Sequence, residues 1–286
     1  MNFVSYNIQY GFGLDGRYDL VRIAASLEGA DVIALQEVTR GFWRNGFADM
    51  VADIAALFPD YFWVYGPACD THVEADESGL RPRGTRFQFG NMVLSRWPIL
   101  STRTLLLPRS RTIGKINLQR GATEALIAAP REAVRLYSVH LDHVSADERI
   151  RQLHFLNARI NAFVQEGGSL TGGSELDLPE PPLPADYIIM GDFNMEPESP
   201  EYCALAGAGG YYGRVARIGT PVDAFAALKA YVPESYSWMD PEDHGKRMHL
   251  DYCFVSCGLE GRLKSARIDT QSVGSDHFPV WVEIGD

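Results

Sequence analysis

The chain has 286 residues, 46% of them apolar, 11% aromatic and 22% charged, a balance that supplies a buried core and excludes a disordered protein. Its length exceeds the roughly 100–200 residues usual for one domain, yet no boundary stands out, and we expect a single domain over residues 1–286. The 26 Lys and Arg against 37 Asp and Glu leave a net charge of −11, which disfavours a protein that holds long nucleic acid mainly by neutralising phosphates, a local basic patch excepted.

Taken in chain order, the opening residues Met1 to Asn7 carry neither a basic segment nor an apolar one of the secretory kind, so the expectation is a cytoplasmic protein. No apolar run approaches the roughly 18 residues of a membrane span, which excludes integral membrane association. Short apolar or alternating runs predict strands at 3–6, 32–35, 62–65, 91–94, 123–127, 134–139, 187–190, 250–255 and 280–284. Helical periodicity predicts helices at about 20–27, 46–57 and 146–164. The last is the clearest, with Ile150, Leu153, Leu156, Ile160 and Phe163 on one face and Ser145 and Glu148 in capping-box spacing. Residues 167–184, rich in Gly, Ser and Pro, read as a surface loop rather than a linker. Cys69, Cys203, Cys253 and Cys257 are too few and too irregular for a disulfide framework or a paired zinc site.

Strands mixed with helices, without strict alternation, predict an α/β protein with two packed sheets and helices outside. A parallel nucleotide-binding sheet is the alternative. Gly11, Gly13 and Gly16 have its spacing, but the preceding strand ends in polar Asn7 and Gln9 and no helix begins within the glycines.

Several apolar runs end directly in a carboxylate, amide or imidazole: Tyr6-Asn7, Leu35-Gln36-Glu37, Val139-His140, Gly191-Asp192-Phe193-Asn194, Leu250-Asp251-Tyr252 and Ser275-Asp276-His277-Phe278-Pro279. Singly, each is an ordinary turn residue. Neighbouring strands would gather Asn7, Glu37, Asp192, Asn194, Asp251 and Asp276 with His140 and His277 at one rim. Four acids there repel unless a cation sits among them, and carboxylates with amides suit Mg²⁺ or Mn²⁺ rather than zinc. The i, i+2 spacing turns Asp192 and Asn194 to one face and Phe193 to the other.

This ordered set, running from Asn7 to Val280, resembles the endonuclease/exonuclease/phosphatase superfamily, which includes deoxyribonucleases, AP endonucleases, sphingomyelinases, inositol-polyphosphate phosphatases and deadenylases. The resemblance implies a four-layered α/β sandwich, two packed mixed sheets flanked by helices, with the active site at one rim. It also implies Asn7, Glu37 and Asp276 at the metal and Asp192 and Asn194 on the attacking water and scissile phosphate. His277 then serves as general base or phosphate-binding imidazole, with Asp251 orienting it. His140 resembles the histidine of deoxyribonuclease-like and sphingomyelinase-like members; AP endonucleases carry Tyr at that place. Its expected role is to donate to a phosphate oxygen or protonate the leaving group. Zinc at His140 and His143 is disfavoured because the pair lacks helical i, i+4 geometry, and His143 is left as a substrate contact or a loop residue.

The expected activity is Mg²⁺-dependent phosphoesterase, foremost a phosphodiester hydrolase acting by direct attack of a metal-positioned water, on a nucleic acid, a phospholipid head group or a small diester. A phosphodiester resists hydroxide, so the reaction needs a cation on the non-bridging oxygen, a placed water and help for the leaving oxygen. Alternatives are a nuclease proper, a phosphomonoesterase, or a binding module of the same fold without turnover. Arg81, Arg83 and Arg86 could bind phosphate or be a solvated charge cluster, and Asn91 could touch substrate or be a plain strand-start amide. The five tryptophans read as core or rim packing rather than substrate stacking. The missing signal argues against a secreted sphingomyelinase. Sequence does not fix oligomeric state.

Overall fold

Period-two alternation decides which side chains of a strand meet the opposite sheet, and here it builds the layers. The computed structural model describes residues 1–72, 86–232 and 234–285. Its strands are β1 (Asn2–Asn7), β2 (Val32–Arg40), β3 (Phe62–His72), β4 (Arg86–Ser95), β5 (Ile99–Leu106), β6 (Gly121–Ile127), β7 (Val134–His140), β8 (Ile188–Asp192), β9 (Val222–Asp223), β10 (Trp238–Met239), β11 (Arg247–Met248), β12 (Asp251–Val255), β13 (Leu263–Ile268) and β14 (Val280–Ile284). One sheet has the order β13-β14-β1-β2-β4-β3 and the other β5-β6-β7-β8-β12-β9, with β10 and β11 as a separate ribbon. Both sheets are mixed, since β1 pairs β2 and β7 pairs β8 in parallel while their other neighbours are antiparallel.

Phe3, Val32, Ala34, Val93, Leu136, Ile188, Met190, Cys253 and Val255 form the buried core between the sheets. The alternate residues Val4, Tyr6, Ile33 and Leu35 face outward and pack with α1 (Leu20–Ala25) and α2 (Met50–Leu57). On the far side Tyr137, Val139, Ile189, Tyr252 and Phe254 pack with α3 (Ala146–Glu166) and α4 (Pro200–Ala206). The result is the expected helix, sheet, sheet, helix sandwich.

The helix starts follow their caps. Asp19 accepts from the Val21 and Arg22 amides at the start of α1. Asp49 accepts from Ala52 N, so α2 begins at Met50 rather than 46; Gly46 and Phe47 are left-handed, at φ 72° and 65°, and cannot be helical. Ser145 caps α3 through Glu148 N, but the Glu148 carboxylate does not return to close the predicted box. It accepts two bonds from Ser110 N at 3.0 and 2.8 Å and so fastens the 107–120 loop to the helix.

Where the prediction fell short, the reason is an edge or a cap. Strands β5 and β13 were not expected, because as outer strands they alternate with exposed polar residues and hold no long apolar run. Helix α4 is seven residues begun by a Ser199 cap and Pro200. A 3-10 turn at Gln9–Gly11 and a Phe12–Tyr18 bridge hold the Gly11 to Gly16 stretch ahead of the Asp19 cap, which disposes of the nucleotide-loop alternative.

Candidate active site

The stripes of side chains that face between the sheets change character along each strand. On β1 the stripe runs Phe3, Ser5, Asn7; on β7, Leu136, Ser138, His140; on β8, Ile188, Met190, Asp192; on β12, read backwards, Val255, Cys253, Asp251. All of these residues are buried. The apolar ends make the core, and the polar ends arrive at the same rim because β7 and β8 run parallel, pairing His140 with Asp192, while antiparallel β12 pairs Asp251 with Asp192. Alternation therefore sets the face of these three candidates, and strand pairing makes them neighbours.

Asp192 is the hub. Its Oδ2 accepts from Asn7 Nδ2 at 2.9 Å and lies 3.3 Å from His140 Nε2 and 3.8 Å from His277 Nε2. Its Oδ1 accepts from Asn194 N at 2.9 Å. Asn194 sits in the left-handed region at φ 50°, which asparagine tolerates, and its amide donates to Leu141 O at 3.2 Å. His277 Nδ1 is 2.8 Å from Asp251 Oδ2, and that same oxygen accepts from Ser237 Oγ at 2.7 Å. Burial alone would push the His277 pKa down, but the carboxylates of Asp251 and Asp192 hold it well above the usual imidazole value.

Glu37 comes from a defect in β2. The register with β4 slips between Leu35 and Val38, and Glu37 takes φ 61° inside that bulge. A bulge re-aims one side chain, and a non-glycine residue there costs about 1–3 kcal/mol. The Glu37 carboxylate reaches 3.9 Å from His140 Nε2. Burial, and then repulsion from Asp276, push its pKa up to about 7. Asp276 is buried, and its pKa is raised by that burial although Trp238 Nε1 and Ser275 Oγ donate to it at 3.1 and 3.2 Å.

Two contributors escaped the sequence reading. Arg120, only 5% exposed, places Nη1 2.7 Å from His140 Nε2 and Nη2 2.7 Å from His143 Nδ1. Burial, then this guanidinium, lower the pKa of both histidines, so both imidazoles are held neutral. A cation wedged between them also removes the H-x-x-H pair from consideration as a zinc site. The available signal was an arginine immediately ahead of a strand, in a loop with no other pattern. Ser237 is the second: it accepts from the Leu250 and Asp251 amides while donating to the Asp251 carboxylate. A lone serine in a loop gives no signal.

The smaller candidates divide. Asn91 is buried and donates to Gly121 O and Ser138 O at 3.1 and 2.7 Å, so it ties the two sheets rather than facing solvent. Arg86 pairs with Asp70 at 2.6 Å, the ordinary strand-end ion pair, while Arg81 and Arg83 lie outside the described residues. Trp43 and Trp63 are half-exposed, at 46% and 43%, and so sit at a rim rather than in a core.

Glu37, Arg120, His140, Asp192, Asn194 and His277 open into one cavity of about 400 Å³. Asp192, Asp251 and His277 each offer a ligand atom, all within 4.8 Å of one another, so the site is able to hold a metal ion. Among the described residues no helix is long and apolar enough to cross a membrane.

Comparison with known proteins agrees with this geometry. The model of the Endonuclease/Exonuclease/phosphatase family matches residues 4–277. No curated protein matches the sequence. Among solved structures, the fold is similar to an endonuclease/exonuclease/phosphatase from Bacteroides vulgatus at 17% identity, TM-score 0.64, covering 99% of this chain and 98% of that one. It is similar to a mannosyl-6-phosphatase of Bacteroides thetaiotaomicron at 16% identity, TM-score 0.64, covering all of both chains. A 3′ phosphatase from Neisseria bound to a product DNA hairpin gives 16% identity and TM-score 0.58, again over the full length of both. At such identities the structures speak for the fold, while the family model spans nearly the whole sequence, and the chain belongs to the endonuclease/exonuclease/phosphatase family as a metal-dependent phosphoesterase.

Proposed function

We propose that the protein hydrolyses a phosphodiester by direct attack of water, with Mg²⁺ as its metal and Mn²⁺ as a substitute. The observation that carries this reading is the convergence on Asp192: an amide at 2.9 Å and two imidazoles at 3.3 and 3.8 Å meet one carboxylate at the floor of a single cavity. For the metal we favour Glu37 with Asn7 and Asp276 over the Asp192, Asp251 and His277 set. Asp251 and His277 spend their facing atoms on each other at 2.8 Å. Glu37 accepts no hydrogen bond among the described residues, and its raised pKa marks a carboxylate pair in need of a cation. Hard oxygen donors of this kind fit Mg²⁺. When bound, the ion would neutralise charge on a non-bridging phosphate oxygen and on the departing alkoxide.

The chain's own groups supply the remainder. Asp192 and the Asn194 amide hold water and phosphate in place. Asp251 fixes the His277 ring through Nδ1, so that Nε2 faces the site as donor to phosphate or, once deprotonated, as acceptor from water. His140, kept neutral, suits donation to a phosphate oxygen better than full proton delivery. Arg120 behind it offers positive charge that no change near neutral pH removes.

The phosphomonoesterase reading stays second, favoured by the Arg120, His140 and His143 group, which matches a dianionic phosphate, and by the two structurally similar phosphatases. The nuclease reading is weakened by the Arg86–Asp70 pair and the −11 charge. The test compares bis-p-nitrophenyl phosphate with p-nitrophenyl phosphate under Mg²⁺, Mn²⁺ and EDTA, in wild type and Asp192→Ala. Metal-dependent diester turnover lost in the variant is expected. Preference for the monoester would overturn the diester assignment, and turnover undiminished by EDTA would sink the metal.

A further inference from the structure

One wall of the catalytic cavity is not polar. Beyond Arg120 and His140 it is built from Tyr10, Phe42, Trp43, Phe87, Phe89 and Ile116. The rings form an unbroken chain: Tyr10 to Phe42 at 4.9 Å between centroids, Phe42 to Phe87 at 5.3 Å, Phe87 to Phe89 at 6.5 Å, and Phe89 to the His140 imidazole at 5.8 Å. Trp43 packs on both Phe42 and Phe87, at 4.7 and 5.8 Å. Phe42, Phe87 and Phe89 are the buried centre of a small cluster separate from the three main cores.

Such a cluster is not needed to close the sandwich, whose sheets already have their own core. Its rings come from the β1–α1 loop, the β2–α2 loop and the β4 strand, and the cavity lining at its edge is partly exposed, Trp43 at 46% and Ile116 of the β5–β6 loop at 67%. Large apolar side chains left half-open inside a polar catalytic cleft mark where an apolar group of a ligand is covered. Aromatic walls favour a ring over a chain of equal area, because edge-to-face and offset contacts add to burial. At about 400 Å³ the cavity lies near the small end of ligand sites, which span roughly 300–1,000 Å³, and suits a phosphate with one ring-bearing group rather than a polymer segment.

Resting on the phosphoesterase reading of the site, we propose that the substrate is a phosphate ester carrying an aromatic group. Its ring lies on the Trp43, Phe87 and Ile116 wall while its phosphate meets Arg120, His140 and Asn194. The shared chemistry is a flat ring next to a phosphate, whether a nucleobase on its sugar or a simple aryl group.

The test is calorimetric binding of phenylphosphonate, butylphosphonate and methylphosphonate to the Mg²⁺-loaded protein. None can be hydrolysed as an ester, so binding is read apart from turnover. Phenylphosphonate is expected to bind roughly tenfold or more tighter than methylphosphonate, the scale of one stacked ring. Trp43→Ala should reduce that ratio to below about threefold, and Trp43→Phe should restore most of it; Ile116→Ala, an exposed position that carries little folding risk, should reduce it in the same direction. Equal affinity of phenyl and methyl compounds, a ratio unchanged in Trp43→Ala, or butyl binding as tightly as phenyl would each overturn the proposal. Thymidine 5′-monophosphate against phenyl phosphate separates the two sources: tighter binding of the nucleotide assigns the ring to a nucleobase, and weaker binding assigns it to an aryl ester. Bis-p-nitrophenyl phosphate turnover on the same samples keeps the failures apart. Metal-dependent turnover without a phenyl preference removes the aromatic pocket alone, and a phenyl preference without turnover removes the hydrolytic reading alone.

Discussion

Gly191→Ala tests whether the catalytic geometry depends on how closely β7 and β8 approach. A Cβ at Gly191 would lie 1.9 Å from Val139 O, 2.7 Å from Val139 C and 2.9 Å from Val139 N, all of them backbone, and the residue holds φ 154°. An ordinary carbon to oxygen contact is about 3.3 Å or longer, so the strands must part by about 1.4 Å. They would part where Val139 pairs Gly191 and His140 pairs Asp192. Losing one or two ladder hydrogen bonds costs about 1 kcal/mol each, and forcing the extra methyl into packed backbone adds roughly 1–3 kcal/mol. Together the expected destabilisation is about 2–5 kcal/mol, seen as a lower urea midpoint at unchanged slope. The His140 Nε2 to Asp192 Oδ2 distance of 3.3 Å cannot survive that separation, and a displacement of about 1 Å at reacting groups costs on the order of 10²-fold in rate. Both effects should appear together, the rate loss persisting where the variant is fully folded. A Gly191→Ala protein with wild-type midpoint and kcat would refute the argument from strand separation.

Asp251→Asn should leave the fold intact and lower kcat on the order of 10²–10⁴-fold, since it removes the charge that stabilises and orients His277; steady-state kinetics on a stable, folded sample checks this. Arg120→Met, which matches the buried volume, is expected to raise KM about tenfold or more through loss of a charged contact to phosphate, read from KM and from inhibition by inorganic phosphate. Glu148→Gln probes the anchor of the Arg120 loop. Burial acts to raise the Glu148 pKa, but the Ser110 amide and hydroxyl and Arg151 outweigh it and hold the carboxylate below its usual value. Its stabilisation is therefore complete above the unfolded carboxyl pKa and is lost as pH falls through the folded one. Wild type should exceed the variant by about 1.5–3 kcal/mol at neutral pH, with the two converging in acid, as chemical denaturation at several pH values would show.

How much of this was legible beforehand depended on whether a residue's role is local. Asn7, His140 and Asp192 each end an apolar run on their own strand and Asp251 begins one, and the same alternation that buries Phe3, Leu136, Ile188 and Val255 aims them at the rim. The four layers were legible because the three main cores are written in that alternation. Glu37 was found in position but not in conformation, because a bulge is set by the pairing of β2 with β4 and has no marker in Gln36-Glu37-Val38. Arg120 and Ser237 act through partners 20 or 23 and 13 or 14 residues away respectively, and nothing around either residue announces those contacts. The aromatic wall was invisible for the same reason: Tyr10, Phe42 and Phe87 come from separate segments, and none of them stands in a motif.

The site is divided between two sheets, and that division explains the polar residues buried beneath it. Asn7, Glu37 and the Asp276-His277 segment belong with the first sheet; His140, Asp192 and Asp251 belong to the second. Apolar burial by itself fixes the register of the sheets weakly, because the hydrophobic effect is non-directional. Hydrogen bonds are not. Gln36 Nε2 donates to Ser138 Oγ at 3.0 Å, Ser138 Oγ donates to Leu35 O at 3.3 Å, and Asn91 Nδ2 donates to Ser138 O at 2.7 Å. All cross from one sheet to the other one step below the functional layer, between the apolar core and the rim. A displacement that breaks them leaves buried polar atoms unpaired, at about 1–3 kcal/mol each. This layer thus converts a stack that could tolerate several registers into one that holds Asn7 at 2.9 Å from Asp192 and His277 at 2.8 Å from Asp251, the two contacts through which the halves of the site become one.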